Sequence, residues 1–550
     1  MAMATELHTY NLADVWEAVS DRVPERVAVI SEGREVTYGE LEERSNRLAH
    51  ALYEHGVRAG DHIGAYLVNG IEYFEVMLAA YKLRAVPVNI NYRYVKTELE
   101  YLFNNSDAVA VVANEEFVER LVETAGAIPK VHTVLIVREG DSAGDLPEGF
   151  VDYEEAIAGA SADRDFIELV GPRTNDDEYV IYTGGTTGMP KGVVWRHEDI
   201  FFAGIGGGDP MRLNGFVSSP AELIDRIIDF EMLTLPLAPM MHAAAQWTSL
   251  SWLFCGGKVA MVPGSFDPLK TWQMIETHKV GLVIIVGDAM AKPLIDAWDE
   301  HGPFDISSMY AVGSGGAPLN PVYKKRLFEI APNAMITDGF GSSETGAQGS
   351  HRIFPGDETD GKTRFSPMDA GTKVLSDDGR EVEAGSGVVG KVALTGHIPL
   401  RYYNDEAKTA ETFVEVDGTR WVVTGDMATV EADGVITLLG RGNQVINTGG
   451  EKVYPEEVES VLRTHPDVFD AVVTGVADER FGQCVCAVVA VVDGAEVTLE
   501  GLREYARSEL AGYKLPRELV LVDQVVRSPV GKADYVWAST TASAALGSRS

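Results

Sequence analysis

The sequence predicts an α/β fold divided into more than one domain, on three observations. Short apolar, β-prone runs alternate with helical stretches over most of the chain. Between about residues 370 and 440 the texture changes to short alternating runs separated by Asp-Gly turns. After Gly440 a further alternation of strand and helix patterns begins. At 550 residues the chain exceeds one ordinary domain. Strands alternating with helices imply mostly parallel sheets covered on both faces.

Taken in order, Thr37-Tyr38-Gly39-Glu40 is a capping box, followed at helical spacing by Leu41, Leu48 and Leu52, with Gly56 as a stop. Ile63 to Val68 reads as a strand, Tyr73 to Tyr81 as an apolar helix, and Val86 to Ile90 as the next strand. Further strands are expected at Met232 to Leu237, Lys258 to Val262, Leu282 to Val286 and Met309 to Val312. Asp378-Gly379, Asp417-Gly418 and Asp433-Gly434 mark the turns of a small antiparallel module. Gln444 to Asn447 and Glu451 to Val453 flank Thr448-Gly449-Gly450 as a hairpin, and Pro455 suits the first position of a helix. The expected divisions are 1–440, with the β-module at about 370–440, then 441–537, then a Ser/Thr/Ala/Gly tail at 538–550 read as disordered.

Bulk composition narrows the function. With 45% hydrophobic and 23% charged residues, the chain is an ordinary globular protein. Its formal net charge of −37 argues against nucleic acid and against anionic membranes as partners. Cys255, Cys484 and Cys486 form no disulfide framework, and Cys484 and Cys486 alternate on a strand where they should pack on one face. There is no basic or apolar leader and no membrane-length apolar run, so a cytoplasmic location is expected.

Chemistry concentrates in Tyr182-Thr183-Gly184-Gly185-Thr186-Thr187-Gly188-Met189-Pro190-Lys191-Gly192. Glycines let backbone N–H groups approach an anion, the hydroxyls donate hydrogen bonds, and Lys191 adds charge. The spacing is not that of a Walker A loop, and apolar runs on both sides place it between two strands. In Thr337-Asp338-Gly339-Phe340-Gly341-Ser342-Ser343-Glu344-Thr345-Gly346, Glu344 can hold Mg²⁺ and Phe340 offers a ring face to a purine. Asp426, read as lying at a turn, suits ribose hydroxyls, although on this motif alone a solvated turn carboxylate is the stronger reading. Gly440-Arg441-Gly442-Asn443 sits at the domain junction, and Gly531-Lys532 puts a cation near the C-terminus.

In this order the motifs resemble the superfamily of adenylate-forming enzymes, which includes acyl-CoA synthetases, peptide-synthetase adenylation domains and luciferases. The resemblance spans Val36-Thr37-Tyr38 to Lys532 and is nearest to actinobacterial acyl-CoA synthetases, including those for steroid side-chain acids. Trp195-Arg196-His197-Glu198-Asp199-Ile200 and Gly449-Gly450-Glu451-Lys452-Val453-Tyr454-Pro455 carry that nearer match. It implies a large N-terminal domain of αβαβα-type sheets with a small β-barrel-like module, and a small mobile C-terminal α+β domain. It implies an ATP-dependent acyl-CoA ligase using Mg²⁺ and CoA on a hydrophobic carboxylic acid, by way of an acyl-adenylate. A homodimer is left open, and a free-standing enzyme loading a carrier protein is the alternative.

By the same resemblance, residues Thr183 to Lys191 hold the β- and γ-phosphates, Glu344 binds Mg²⁺ and Ser343 meets the α-phosphate. Gly315, Gly316, Ala317 and Phe340 sandwich adenine on the strand that includes Gly339, with Asp338 at its exocyclic amine. Asp426 and Arg441 bind ribose, and Lys532 bridges the carboxylate and α-phosphate. His242 lies beside the acyl carboxylate, although a satisfied core histidine is the competing reading. Asn443 is the hinge, and Gly449, Gly450 and Lys452 belong to the CoA tunnel. Ala243 to Ala245 and Gly313 to Gly316 suggest a roomy apolar pocket. The chain departs from the common pattern at Gly184, usually serine, at Phe340, usually tyrosine, at Asn443, usually aspartate, and at Asn447, frequently lysine.

Overall fold

In the computed structural model, the residues described are 7–138, 144–183, 189–228, 232–357, 362–448, 451–478, 482–527 and 531–547. The apolar runs of the middle of the chain pair as parallel strands. Leu233–Pro236 lies between Lys258–Met261 and Leu282–Ile285, and Ala311–Gly315 and Met335–Ser342 extend the latter side. Helices Ala243–Leu253, Pro268–His278, Gly287–His301 and Pro321–Ile330 form the connections between them. A second parallel sheet places His62–Tyr66 between Val86–Asn89 and Ala108–Asn114, continued by Thr133–Val137 and Phe150–Asp152. Every residue of His62–Tyr66 is buried, as befits a strand covered on both faces. The helix Tyr38–Glu54 opens with the expected capping box: Thr37 Oγ1 accepts from the Glu40 amide at 3.1 Å and Glu40 accepts from the Thr37 amide at 2.8 Å.

After Met335–Ser342 the chain turns antiparallel into Gly346–Ile353, and one continuous strand path leads into the segment predicted as the β-module. There Arg364–Pro367, Ile436–Arg441, Thr419–Val430, Gly390–Leu394 and Thr372–Leu375 pair antiparallel. Asp417 and Gly418, at φ 51° and 74°, make a tight two-residue turn of the kind that Asp-Gly supplies. A three-stranded antiparallel sheet of Glu178–Thr183, Lys191–Arg196 and Arg401–Tyr402 carries the Gly/Thr-rich loop at one end.

The C-terminal part is a five-stranded sheet with helices on both faces. Ile446–Thr448 and Glu451–Val453 form the expected hairpin, and Pro455 opens the helix Pro455–Leu462. Cys484 and Cys486 share one buried face of the strand Gly482–Val491, as their alternation predicted. That face is covered by a helix at Tyr535–Gly547, which corrects the disordered tail expected from Ala538 onward. Ala538 and Ala542, one turn apart, are fully buried against the sheet. Alanine is a strong helix former, so a low-complexity tail with Tyr535 and Trp537 at its head carries enough apolar surface to dock. Among the described residues no helix is long and apolar enough to cross a membrane.

Candidate active site

Thr183 and Lys191 face each other in register where the antiparallel strands open into the loop. Gly184, Gly185, Thr186, Thr187 and Gly188 lie outside the described residues. The foot of the loop is fixed by charge and by an aromatic ring. Lys191 Nζ lies 3.1 Å from Asp405 and 5.6 Å from the centre of the Tyr402 ring. The Tyr402 hydroxyl donates to Glu344 Oε1 at 2.8 Å. Burial, reinforced by the Glu344 carboxylate, pushes the Tyr402 phenol well above its ordinary range, so it stays a donor. One side chain therefore couples the cation of the loop to the carboxylate of the second motif.

Glu344 sits in the short turn between Met335–Ser342 and Gly346–Ile353. That turn is tied by its own polar groups: the Ser342 amide donates to Thr345 Oγ1 at 3.0 Å and the Glu344 amide donates to Ser342 Oγ at 3.2 Å. Trp195, fully buried on the Lys191–Arg196 strand, donates its indole N–H to the Ser343 carbonyl at 3.0 Å. Ser343 and Glu344 are thus held at a fixed offset from the loop's second strand.

Gly315 and Gly339 are register partners on neighbouring parallel strands, with Gly316 (φ 79°) and Ala317 at the end of the first. Phe340 stacks on Phe365, ring centres 4.4 Å apart and planes at 15°, so one of its faces is already covered. Asp338, beside them, is ion-paired with Lys324 of the helix Pro321–Ile330. Gly313 does not open a pocket as expected, because a side chain there would meet Ile284 Cδ1 at 2.6 Å. Ala245 is fully buried in the core, while Ala243 is half-buried and Ala244 exposed.

Asp426 and Arg441 are cross-strand partners, with Arg441 Nε 3.3 Å from Asp426 Oδ1 and Thr424 donating to Asp426 Oδ2 at 2.6 Å. The carboxylate lies within the strand Thr419–Val430 rather than at a turn, next to Gly425 at φ 83° and an irregularity at Met427 and Ala428. Asp-Gly-like composition and a bulge share the same local signature. Asn443 follows Arg441 in the short turn Gly442–Gln444, Gly449 and Gly450 lie outside the described residues, and Lys452 is exposed on Glu451–Val453.

Lys532 stands where the C-terminal unit meets this surface, with its side chain exposed. Its ammonium pKa is lowered, first by the desolvation of neighbouring protein and then by Arg441, against the opposing pull of Glu344, Asp426 and Glu456. Gly531 makes the approach possible. It adopts φ 74°, and a side chain there would meet Ala317 Cβ at 3.0 Å and Ala289 Cβ at 3.4 Å. Glu456, on the first turn of Pro455–Leu462, lies against Gly440, and burial together with Glu459 and Asp426 pushes its carboxyl up to about 7. His242 precedes the helix Ala243–Leu253, and its Nε2 is buried with no hydrogen-bond partner among the described residues. Burial, with Arg93 and Lys532 adding, pushes its pKa down to about 4, so at neutral pH it is an uncharged imidazole.

Glu344, Asp426, Arg441, His242 and Lys532 are therefore brought into one electrostatic neighbourhood, although Lys532 is 188 positions from Glu344 (532 − 344). Sequence reasoning missed Tyr402, Trp195, Asp405 and Lys324. Nothing in Arg401-Tyr402-Tyr403-Asn404 marks Tyr402 as a partner of Glu344.

The AMP-binding enzyme family matches residues 16–403, and the AMP-binding enzyme C-terminal domain family matches 457–532. The 3-oxocholest-4-en-26-oate–CoA ligase of Rhodococcus rhodochrous is 48% identical over 534 residues, covering 96% of this chain and 95% of that protein. A medium/long-chain-fatty-acid–CoA/3-oxocholest-4-en-26-oate–CoA ligase of Mycolicibacterium smegmatis is 47% identical over 537 residues, covering 96% of each. The crystal structure of ATP-bound MatB from Rhodopseudomonas palustris shares the fold, with a TM-score of 0.79 at 23% identity over 97% of this chain and 99% of that one. With both family models matched and relatives aligned over 96% of this chain, the chain belongs to the AMP-binding enzyme family.

Proposed function

We propose that this enzyme is an ATP- and Mg²⁺-dependent acyl-CoA ligase for a hydrophobic carboxylic acid, of medium or long chain or steroid-like. The observation that carries the reading is the seating of Gly531 against Ala317 and Ala289, which brings Lys532, from the far end of the chain, within electrostatic reach of Glu344, Asp426 and His242. The relatives' names supply the substrate class: one acts on a cholestenoic acid, another on that acid and on medium and long fatty acids.

Two anions must meet for a carboxylate to attack the α-phosphate of ATP. Lys532 offsets their repulsion with a compact charge and must be protonated to do so. Its carboxylate neighbours support the charged form against desolvation. The neutral His242, with its unpartnered Nε2, is suited to hold the acyl carboxylate without adding a cation. Asp426 and Arg441 present paired polar groups to the ribose, and the glycine edge at Gly315, Gly339 and Phe340 leaves room for a flat base. Lys191 and the loop after Thr183 serve the phosphates that depart as pyrophosphate. Glu344 is the residue to hold Mg²⁺, which supplies charge neutralisation at the phosphates. Its fit rests on the Tyr402 hydroxyl, a neutral donor that orients a carboxylate as the outer partner of a metal ligand does. Thioester formation then needs Lys532 withdrawn and CoA admitted, a role for a lid moving about Asn443, with Lys452 and the Gly449-Gly450 segment on the CoA side. The cytoplasm is the proposed location, in keeping with three cysteines held as buried free thiols.

A panel from acetate through long fatty acids to steroid acids tests this, reading AMP release that requires both the acid and CoA. Acetate as the best substrate by kcat/KM would overturn the substrate class. Lys532→Ala is expected to abolish acyl-adenylate formation while thioester formation from supplied acyl-adenylate persists. Equal loss of both half-reactions would remove Lys532 from its assigned role.

A further inference from the structure

We propose that Arg527 and Asp470 form the positioning device for Lys532, an inference that rests on the reading of Lys532 as the cation of adenylation. The backbone beside Lys532 is pinned, since Arg527 and Ala533 form an antiparallel bridge and the Asp534 amide donates to the Val526 carbonyl at 3.3 Å. From that bridge the Arg527 side chain reaches toward Gly531. Its Nη1 donates to the carbonyl of Gly531, the residue before Lys532, at 3.2 Å. The rest of the guanidinium is spent on one carboxylate: Nε donates to Asp470 Oδ2 at 2.8 Å and Nη2 to Asp470 Oδ1 at 2.7 Å. Both side chains are largely buried, at 15% and 12% exposure, so the fork is shielded from water.

Asp470 is itself anchored. It lies at an irregularity of the strand Val468–Asp478, and its Oδ1 also accepts from the Ala471 amide at 2.8 Å. The adjacent Phe469 packs edge-on against Tyr323 of the large domain, ring centres 6.4 Å apart. The seat on the other side is Ala317 together with the start of the helix Gly287–His301, where Gly531 lies against Ala289 and the Val286 carbonyl. Asp288, between those contacts, accepts from the Asn320 amide at 2.7 Å and feels Arg463, Asp470 and Arg527 from the lid. In the proposed lid movement the contacts of Gly531 and Phe469 with the large domain are made only in the docked arrangement. The fork lies wholly within the C-terminal unit, so it keeps hold of Gly531, the residue before Lys532, for the next docking.

A positioning residue should affect the adenylation half-reaction alone. With dodecanoate as the probe acid, Arg527→Ala is expected to lower kcat for ATP–pyrophosphate exchange about 100-fold, the scale of a misplacement near 1 Å, with the KM for ATP within about threefold. Thioester formation from supplied dodecanoyl-adenylate should stay near wild type, which also reports that the lid is folded. Arg527→Lys keeps the charge but cannot fork, so it should recover little. Asp470→Asn, nearly the same size, should lose exchange by about tenfold in the same half-reaction. Equal loss in both half-reactions, full recovery by Arg527→Lys, or an unaffected Asp470→Asn overturns the inference. Run alongside, Lys532→Ala separates the layers. If it loses exchange alone while Arg527→Ala matches wild type, only the positioning role fails; if it loses both half-reactions alike, the underlying reading fails.

Discussion

Gly531→Ala isolates the cost of closing the proposed lid. The added methyl would stand 3.0 Å from Ala317 Cβ and 3.4 Å from Ala289 Cβ, both on the large domain. Overpacking of this kind costs about 1–3 kcal/mol. In the proposed lid movement both obstructing atoms belong to the surface the lid leaves, so that cost falls on the docked arrangement alone. At about 1.4 kcal/mol per tenfold, it predicts a loss of roughly 5- to 150-fold in adenylation. The positive φ of 74° adds about 1–2 kcal/mol of backbone strain in whichever states keep that conformation. This second term lowers the melting temperature of the lid without favouring either half-reaction. The assay is ATP–pyrophosphate exchange set against thioester formation from supplied acyl-adenylate. Adding Ala317→Gly removes the nearer obstruction and should restore most of the exchange activity, in a cycle that includes Ala317→Gly alone. A double variant no better than Gly531→Ala, or equal losses in both half-reactions, would refute the steric argument.

Tyr402→Phe removes the hydroxyl that orients Glu344 while keeping the ring under Lys191, and should raise the Mg²⁺ concentration needed for half-maximal adenylation by about tenfold or more; an unchanged Mg²⁺ dependence would count against Glu344 as the metal ligand. His197, fully enclosed and accepting the Leu12 amide at 3.2 Å, has its pKa pushed by burial from 6.5 down to about 4. The folded protein thus holds the neutral form, and the stability this confers is present above about pH 6.5 and is lost as pH falls toward 4, amounting to about 2 kcal/mol by pH 5. Denaturant midpoints at pH 7 and pH 5 should therefore differ more in wild type than in His197→Gln. Asp288 and Glu456, pushed up to about 6 and about 7, act with the opposite sign, so the difference between proteins is the quantity to read.

The parts legible in sequence are those whose physics is local. Strands such as His62–Tyr66 and Leu282–Ile285 announce themselves as apolar runs because parallel strands are covered on both faces. Asp417-Gly418 and Pro455 follow from backbone conformations that few residues supply. Glu344 and Lys532 stood out because each sits in a run of small and polar residues with little else to do. What escaped is long-range. Tyr402 finds Glu344 across 58 positions and Trp195 finds Ser343 across 148, and no periodicity within either segment encodes the meeting. Gly313 misled for a related reason, since an absent side chain reads as space until Ile284, from the neighbouring strand, is seen to fill it. The tail misled by composition: Ser, Thr and Ala predict disorder only where no apolar face waits to receive them.

That terminal helix changes where the chain can safely be cut. A protein ended at residue 537, the lid boundary that composition suggests, would keep Lys532 yet strip Ala538 and Ala542 from the sheet. Cys484, Cys486, Val488 and Ala490 would then face solvent as a continuous apolar strip with two thiols along a strand. Such a surface invites sheet-to-sheet association and thiol oxidation. The helix Tyr535–Gly547 acts as a cover plate for this sheet, and affinity tags or fusions placed after it must leave that plate seated.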